Sequence, residues 1–549
     1  MAEHQVSSPF YKMLEVKRPL ASFIGEILST SNSTVILTGH AGDGKTALLF
    51  QILQNMSSEP LPSQMRECGM ISLDRIGRKL LWIKDMSELS QTQQNSLLLK
   101  ALRAPSEGHS AILVSNTGPL LSTFERIRLD IDPNISDREL QMQLLDGMDK
   151  SDGTSVTIGN LTPRIFNMAR IDTTSLALDL LDRMLSDTLW KPCALCDKAN
   201  MCPIYGNRND VLRNRDRVCS FISAYLTWLN ENDRRLTIRQ ILAQMAYGIT
   251  AGLSCREIVH ADVDLVRFNY SFANAFWGYR GTKSLSAAEQ IHGIRAIRAL
   301  ELDSKSLDAD YAMFVQGDLS MFDEPIRNYL TASSDPLKIG RQDSAELRRS
   351  FRRFFYLFAN TDEGQTNKLF QSLFSPVFPQ YMRAKTQPLS PTDRTRLKTT
   401  VFRALYRLFV GFLPSPDEKV LYLTVRRPGD GYASVQMLYG EVAWTDFDVR
   451  LAPTKRVTEG TLLNELQVHF KGLEPYPVSL PLLHYFHSLS EGAVATRLNP
   501  ALSHGLDRLR SALVSRFRYT DHSIRVLIKT SAGTRVAEMV VDNQHLTVS

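Results

Sequence analysis

Long hydrophobic runs are missing from this chain of 549 residues. No stretch approaches the roughly 18 uncharged apolar residues that a membrane span requires, so no membrane association is expected. The first residues, MAEHQVSSPFYKMLEVKRP, lack the apolar stretch of a secretory signal, and a cytoplasmic location is the expectation. A strong charge imbalance is lacking too. Lys and Arg number 64 against 58 Asp and Glu, and the net +6 is too thin over this length to imply nucleic acid without clustering. Six cysteines are too few for a disulfide scaffold of this size. There is no internal repeat and no low-complexity tract. What is present is ordinary globular composition, 43% hydrophobic and 22% charged, which excludes wholesale disorder.

Four segments of different character follow one another. Residues 1–185 alternate short apolar strands (35–38, 79–84 and 110–115) with amphipathic helices, the pattern of a parallel sheet covered on both faces. Residues 186–260 carry the cysteine cluster and lid-like helices, and 261–415 are helical with basic faces. Residues 416–549 mix helices with two hairpin signals, around Pro428-Gly429-Asp430-Gly431 and Ser531-Ala532-Gly533.

Gly39-His40-Ala41-Gly42-Asp43-Gly44-Lys45-Thr46 matches G-x-x-x-x-G-K-[ST], with an apolar strand before it and a helix after it. Glycines let consecutive backbone N–H groups turn onto phosphate oxygens, and the helix N-terminus adds partial positive charge. Lys45 is expected on the β- and γ-phosphates of ATP and the Thr46 hydroxyl on Mg²⁺. The strand Leu80-Leu81-Trp82-Ile83 leads to Asp85, a second expected Mg²⁺ ligand. Met86 follows directly, so Glu88 is the nearby carboxylate left to polarise an attacking water. Asn116 stands at the tip of the third strand.

Cys193, Cys196, Cys202 and Cys219 form a C-x2-C-x5-C-x16-C run. Thiolates at this spacing suit a structural Zn²⁺, the simpler assignment, or an iron–sulfur cluster. The C-x2-C-x5-C part also resembles that of iron–sulfur-bearing nucleases and helicase-nucleases. Arg348, Arg349, Arg352 and Arg353 share one helical face, and Arg394, Arg396, Lys398, Arg403 and Arg407 line a second. Such faces could track a DNA backbone or serve as ordinary solvated surfaces. Thr237 is the expected N-cap of a helix whose Arg239 points towards the nucleotide.

The Gly39–Thr46 loop, Asp85 and Asn116 resemble the AAA+/STAND branch of P-loop ATPases over about residues 20–185. The resemblance implies an α/β ASCE/AAA+-like core with a helical, metal-stapled extension and a mixed α+β carboxy-terminal domain. It also implies Asn116 as a γ-phosphate sensor and Arg126 or Arg128 as an arginine supplied to a neighbouring copy in an oligomer. The cysteine insertion, LTIRQILAQMAYGITAGLSC and LPLLHYFHSLSEGA together are similar to the ATPase subunit of bacterial phosphorothioation-dependent DNA restriction (DptF-type). That likeness implies an ATPase of a multi-protein anti-phage system, acting with separate nuclease or helicase subunits. A nucleotide-gated scaffold of STAND type, without productive hydrolysis alone, is the alternative.

Overall fold

Val35-Ile36-Leu37 and Ala111-Ile112-Leu113-Val114 are continuous apolar runs, as strands must be when both sheet faces are covered. In the computed structural model they lie side by side in parallel, buried at every position. It describes residues 10–57, 66–73, 78–150, 153, 155–260, 267–333, 345–426, 433–453, 463–494, 498–520, 523–530, 533–542 and 545–548. These fall into two compact units, one running to Thr366 and the other from Asn367 onward. The composition pattern had pointed to four segments; the boundary near Thr366 lies inside the third.

The first unit is built on five strands: β1 (Thr34–Thr38), β2 (Cys68–Leu73), β3 (Arg78–Ile83), β4 (Ser110–Val114) and β5 (Arg164–Asn167). Their order is β2-β3-β4-β1-β5, so β4 is inserted between the strand entering the glycine loop and the strand leading to Asp85. All neighbours are parallel except β2, which runs antiparallel to β3 at the edge. Val35 and Leu37 face one way, joining Leu20, Ile24 and Leu28 of α1 (Pro19–Thr30) and Leu48 and Ile52 of α2 (Lys45–Met56). Ile36 faces the other way, with Leu98 of α3 (Gln91–Arg103), Leu120 and Phe124 of α4 (Thr117–Arg126), and Leu140 and Leu144 of α5 (Asp137–Lys150). That split is the two-residue period of the pleat. Each such side chain contributes about 1.5–3 kcal/mol by leaving water, which fixes the strand tips that carry the site.

Beyond the sheet come α6 (Thr174–Leu185), α7 (Asp187–Ala194), α8 (Pro203–Arg213), α9 (Arg215–Glu231), α10 (Ile238–Thr250) and α11 (Cys255–Val259). Thr237 caps α10 as expected, and Gln240 returns the bond to complete a capping box. The first basic face lies on α12 (Ala345–Phe358). Arg352 is not on an open face: it grips Asp310 at 2.7 and 3.1 Å. Arg353 is buried 3.9 Å from the Tyr279 ring centroid, with Asp303 at 3.6 Å, and burial pushes its pKa down to about 10.

In the second unit, α13 (Pro391–Val410) carries the other basic face. Arg394 pairs with Asp448, Arg403 donates to the Ser490 carbonyl at 3.2 Å, and Lys398 sits 4.4 Å from the Trp444 ring centroid. Five of the side chains on the two basic faces are therefore committed to partners within the fold, as the reading of these helices as ordinary amphipathic surfaces allows. The flanks of both hairpin signals pair antiparallel: Val420–Thr424 with Val435–Ala443, and Ile524–Thr530 with Gly533–Asp542. The turn residues 428–431, with Ser531 and Ala532, lie outside the described residues. Among the described residues no helix is long and apolar enough to cross a membrane.

Candidate functional site

Gly39, Gly42 and Gly44 adopt φ values of 139°, 95° and 74°, a region that side-chain-bearing residues rarely enter. A Cβ on Gly42 would also stand 3.0 Å from that of Arg239 and 3.1 Å from the Thr237 hydroxyl. The loop and the start of α10 thus fit closely only with glycine there, and the Arg239 N–H donates to the Gly42 carbonyl at 3.2 Å. Arg18 closes the opposite side, donating to the Gly44 carbonyl at 3.0 Å.

Lys45 opens α2 and turns back over the loop. Its ammonium donates to the His40 carbonyl at 2.8 Å, the Gly39 carbonyl at 3.4 Å and the Asn116 Oδ1 at 2.8 Å. Burial lowers its pKa, Asp43 and Asp85 oppose that shift, and Arg239 adds to it. The structure therefore brings Lys45, Asn116, Asp85 and Arg239 to one place. Asn116 is held there by its own N–H, which donates to the Ser87 hydroxyl at 3.0 Å. Ser87 is a support that the motif pattern does not signal.

Asp85 follows β3 and caps the short helix Met86–Glu88, one carboxylate oxygen accepting from the Ser87 N–H at 2.9 Å. The other oxygen and the half-buried Thr46 hydroxyl have no hydrogen-bond partner among the described residues, so the pair has donor capacity left for a hard cation. Met86 is fully buried in the cluster beneath the sheet. Glu88 is exposed, with no side-chain partner among the described residues.

Within the loop, Ala41 and His40 are exposed, while Asp43 is fully buried. One Asp43 oxygen accepts from the His40 N–H at 2.8 Å and the other from Arg235 Nη1 at 2.8 Å. The Arg235 side chain is only 11% exposed, and its buried Nε and Nη2 have no partner among the described residues. Sequence reading missed this pair; an acid inside the phosphate loop and an arginine just before a capped helix were the available signals. Arg126 bonds to Asn95, Gln94 and Thr123, and Arg128 to Asp137 at 2.9 Å, so both arginines are occupied within their own subunit.

The four expected cysteine ligands are not gathered as a set. Cys193 lies on α7, Cys196 in the turn after it, and Cys202 caps α8, its sulfur accepting from the Tyr205 N–H at 3.5 Å. The Cys193 thiol is pushed up by burial, then by the neighbouring thiols of Cys202, Cys255 and Cys196, with Arg208 opposing. Cys219 is elsewhere, on α9, where the charges acting on it are Arg215, Asp182 and Asp216. Among the described residues no three His, Cys, Asp or Glu side chains converge on a single metal ion.

Compared with known proteins, the chain matches no family model, no curated protein and no solved structure.

Proposed function

We propose that this chain binds Mg-ATP in the Gly39–Thr46 loop and hydrolyses it as one subunit of a multi-protein DNA restriction or anti-phage system, in oligomeric form. The observation that carries the nucleotide part is the convergence on the Lys45 ammonium of Asn116 at 2.8 Å, with Asp85 and Arg239 in its field. The sheet order supports it, because a strand inserted between the loop strand and the acid-bearing strand is what the ASCE branch requires. The restriction context rests on the likeness in motif order alone.

In this reading the backbone N–H groups of the loop and the start of α2 bind phosphate oxygens. Lys45 exchanges two carbonyls and an amide oxygen for the β- and γ-phosphates, a charge-assisted and stronger set. Thr46 and Asp85 would hold Mg²⁺, which neutralises charge developing on the transferred phosphoryl group. Asn116 positions the γ-phosphate or the attacking water, and Arg239 adds positive charge from α10. Glu88 polarises the water. Titration calorimetry with Mg-ATP, followed by phosphate release with and without DNA, tests the reading. Heat of binding lost in Lys45→Ala and turnover raised by DNA are expected; absence of binding in the parent protein overturns it.

One observation favours the nucleotide-gated scaffold instead. The residue directly after Asp85 is a buried methionine, and Glu88 points to solvent. On that reading ATP changes oligomer size in light scattering while turnover stays at background, and Glu88→Gln leaves the size change intact.

A further inference from the structure

A cavity of about 860 Å³ opens between the start of α9, the 320–323 stretch and residues 358–366. Every residue lining it belongs to the first unit, and none to the glycine loop, the Asp85 turn or Asn116. Its size is that of a small-molecule site. The hydroxyl-bearing residues Ser220, Ser320, Thr361 and Thr366 line it, and the Thr361 and Thr366 hydroxyls stand 2.9 Å apart. Leu212, which is 38% exposed, and the half-buried Met321 supply apolar wall.

Three arginines stand on the α9 side, and two of them are satisfied. Arg213 pairs with Asp210 and Asp323, and Arg215 with Asp182 and Asp216. The lining acids Asp216 and Asp323 are thus already matched. Arg217 is not. Its Nη1 donates to the Thr366 hydroxyl at 3.3 Å, while Nε and Nη2 are buried with no partner among the described residues. Glu363, the remaining acid of the lining, is exposed and forms no ion pair with it. Burial lowers the Arg217 pKa to about 10, so the group is still a cation at neutral pH. A buried cation without a counter-charge is costly, and an anion brought to it recovers that cost.

The Nε–Nη2 edge of a guanidinium is the fork that takes two oxygens of one anion. Arg217 as a whole is half-buried, so the fork lies just behind the cavity wall, within reach of a turn about its last side-chain bonds. The first-turn N–H groups of α9 lie on the same wall, and Asn214 makes no capping bond to them. Fork, amides and hydroxyls together outnumber what the two oxygens of a carboxylate can accept. Three terminal phosphate oxygens match them better, and the volume left over calls for an organic remainder.

We infer that this cavity binds a small phosphate monoester, of up to nucleotide size, whose phosphate is gripped by Arg217. The site is separate from the Gly39–Thr46 loop, and the inference does not rest on the ATP reading.

Titration calorimetry on the full chain uses three probes: inorganic phosphate, ribose 5-phosphate and AMP. At least one of the two esters should bind at least about tenfold more tightly than inorganic phosphate, and that binding should survive Lys45→Ala. Arg217→Met should weaken it at least about tenfold, the loss of a charge-assisted fork. Ser320→Leu, at an exposed position on the wall, should do the same by filling the cavity, and decides the matter if Arg217→Met does not fold. The inference is overturned if neither ester binds, if inorganic phosphate binds as well as both, or if Lys45→Ala abolishes the binding. Unchanged affinity in folded Arg217→Met or folded Ser320→Leu overturns it too.

Discussion

Asp43→Ala is the substitution whose consequence follows most directly from the geometry of the loop. It removes two hydrogen bonds of 2.8 Å, one from the His40 N–H and one from Arg235. His40 is exposed, so its N–H can turn to water at little cost. Arg235 cannot. Its side chain is 11% exposed and its other two nitrogens have no partner among the described residues, so removing Asp43 takes away the carboxylate that pairs it there. Breaking one side of a buried ion pair costs about 3–5 kcal/mol, and both members here are well below one-third exposed, so solvent screening takes little of it. Set against a typical total of 5–15 kcal/mol, that is a large fraction of the stability of the unit. Asp43→Asn keeps one oxygen, which can accept from Arg235 or from the His40 N–H but not from both, and should lose about half as much. Urea unfolding followed by tryptophan fluorescence, with Arg235→Met and the double variant completing a cycle, measures the coupling. A coupling energy of about 2 kcal/mol or more is expected, with the double variant no worse than Asp43→Ala alone. A loss under about 1 kcal/mol in Asp43→Ala, or strict additivity, would refute the claim that this pair ties the loop to the start of α10.

Lys45→Ala should weaken Mg-ATP binding at least about tenfold in calorimetry, since a charge-assisted contact to phosphate is lost. Burial lowers the Lys45 pKa, so ATP affinity should fall with rising pH before an ordinary lysine would lose its proton, while Lys45→Arg stays flat. The same shift makes the unfolded chain bind more protons between the lowered value and the ordinary one, so this group makes stability rise with pH across that interval. Asn116→Ala should cut phosphate release by about 100-fold at saturating ATP with little change in binding, the usual cost of losing one preorganised polar contact. Met86→Ala should destabilise by about 2–5 kcal/mol in urea, whereas Glu88→Gln should be neutral in the same assay.

The central strands were readable because their signal is dense. In β1 and β4 every residue is buried, and continuous apolar sequence admits few alternatives. β2 escaped because it is an edge strand, buried only at Leu73, and it pairs antiparallel where regular alternation with helices implied a parallel sheet. The strands Phe447–Pro453 and Asn464–Phe470 were missed although Phe447-Asp448-Val449-Arg450-Leu451 and Leu466-Gln467-Val468-His469-Phe470 alternate apolar and polar residues; the runs are short and no two-residue turn signal stands between them. The basic helices left two readings open for a different reason. Arginine spacing gives a face but not its neighbour, and Asp303, Asp310 and Asp448, which claim Arg353, Arg352 and Arg394, are far away in sequence. Long-range pairing leaves no local trace.

In and around the Gly39–Thr46 loop the same contrast separates backbone-coded features from partner-coded ones. Glycines at positive φ and a lysine after them can be read from eight residues, because each performs its role through its own backbone or reach. The fate of the position after Asp85 could not be read so. The Asp85 carboxylate caps the next turn through the Ser87 N–H, and this cap rotates residue 86 inward beneath the sheet. A carboxylate placed there without a partner would be buried at a cost of several kcal/mol, so this buried position suits an apolar residue. Any water-polarising group must then enter from outside that turn. Glu88, two residues on and exposed, meets that condition. On the proposed reading, hydrolysis then depends on whatever brings the exposed Glu88 towards the phosphate. On the proposed reading, binding rests on Lys45 and turnover on Glu88, so Lys45→Ala should abolish both while Glu88→Gln abolishes turnover alone.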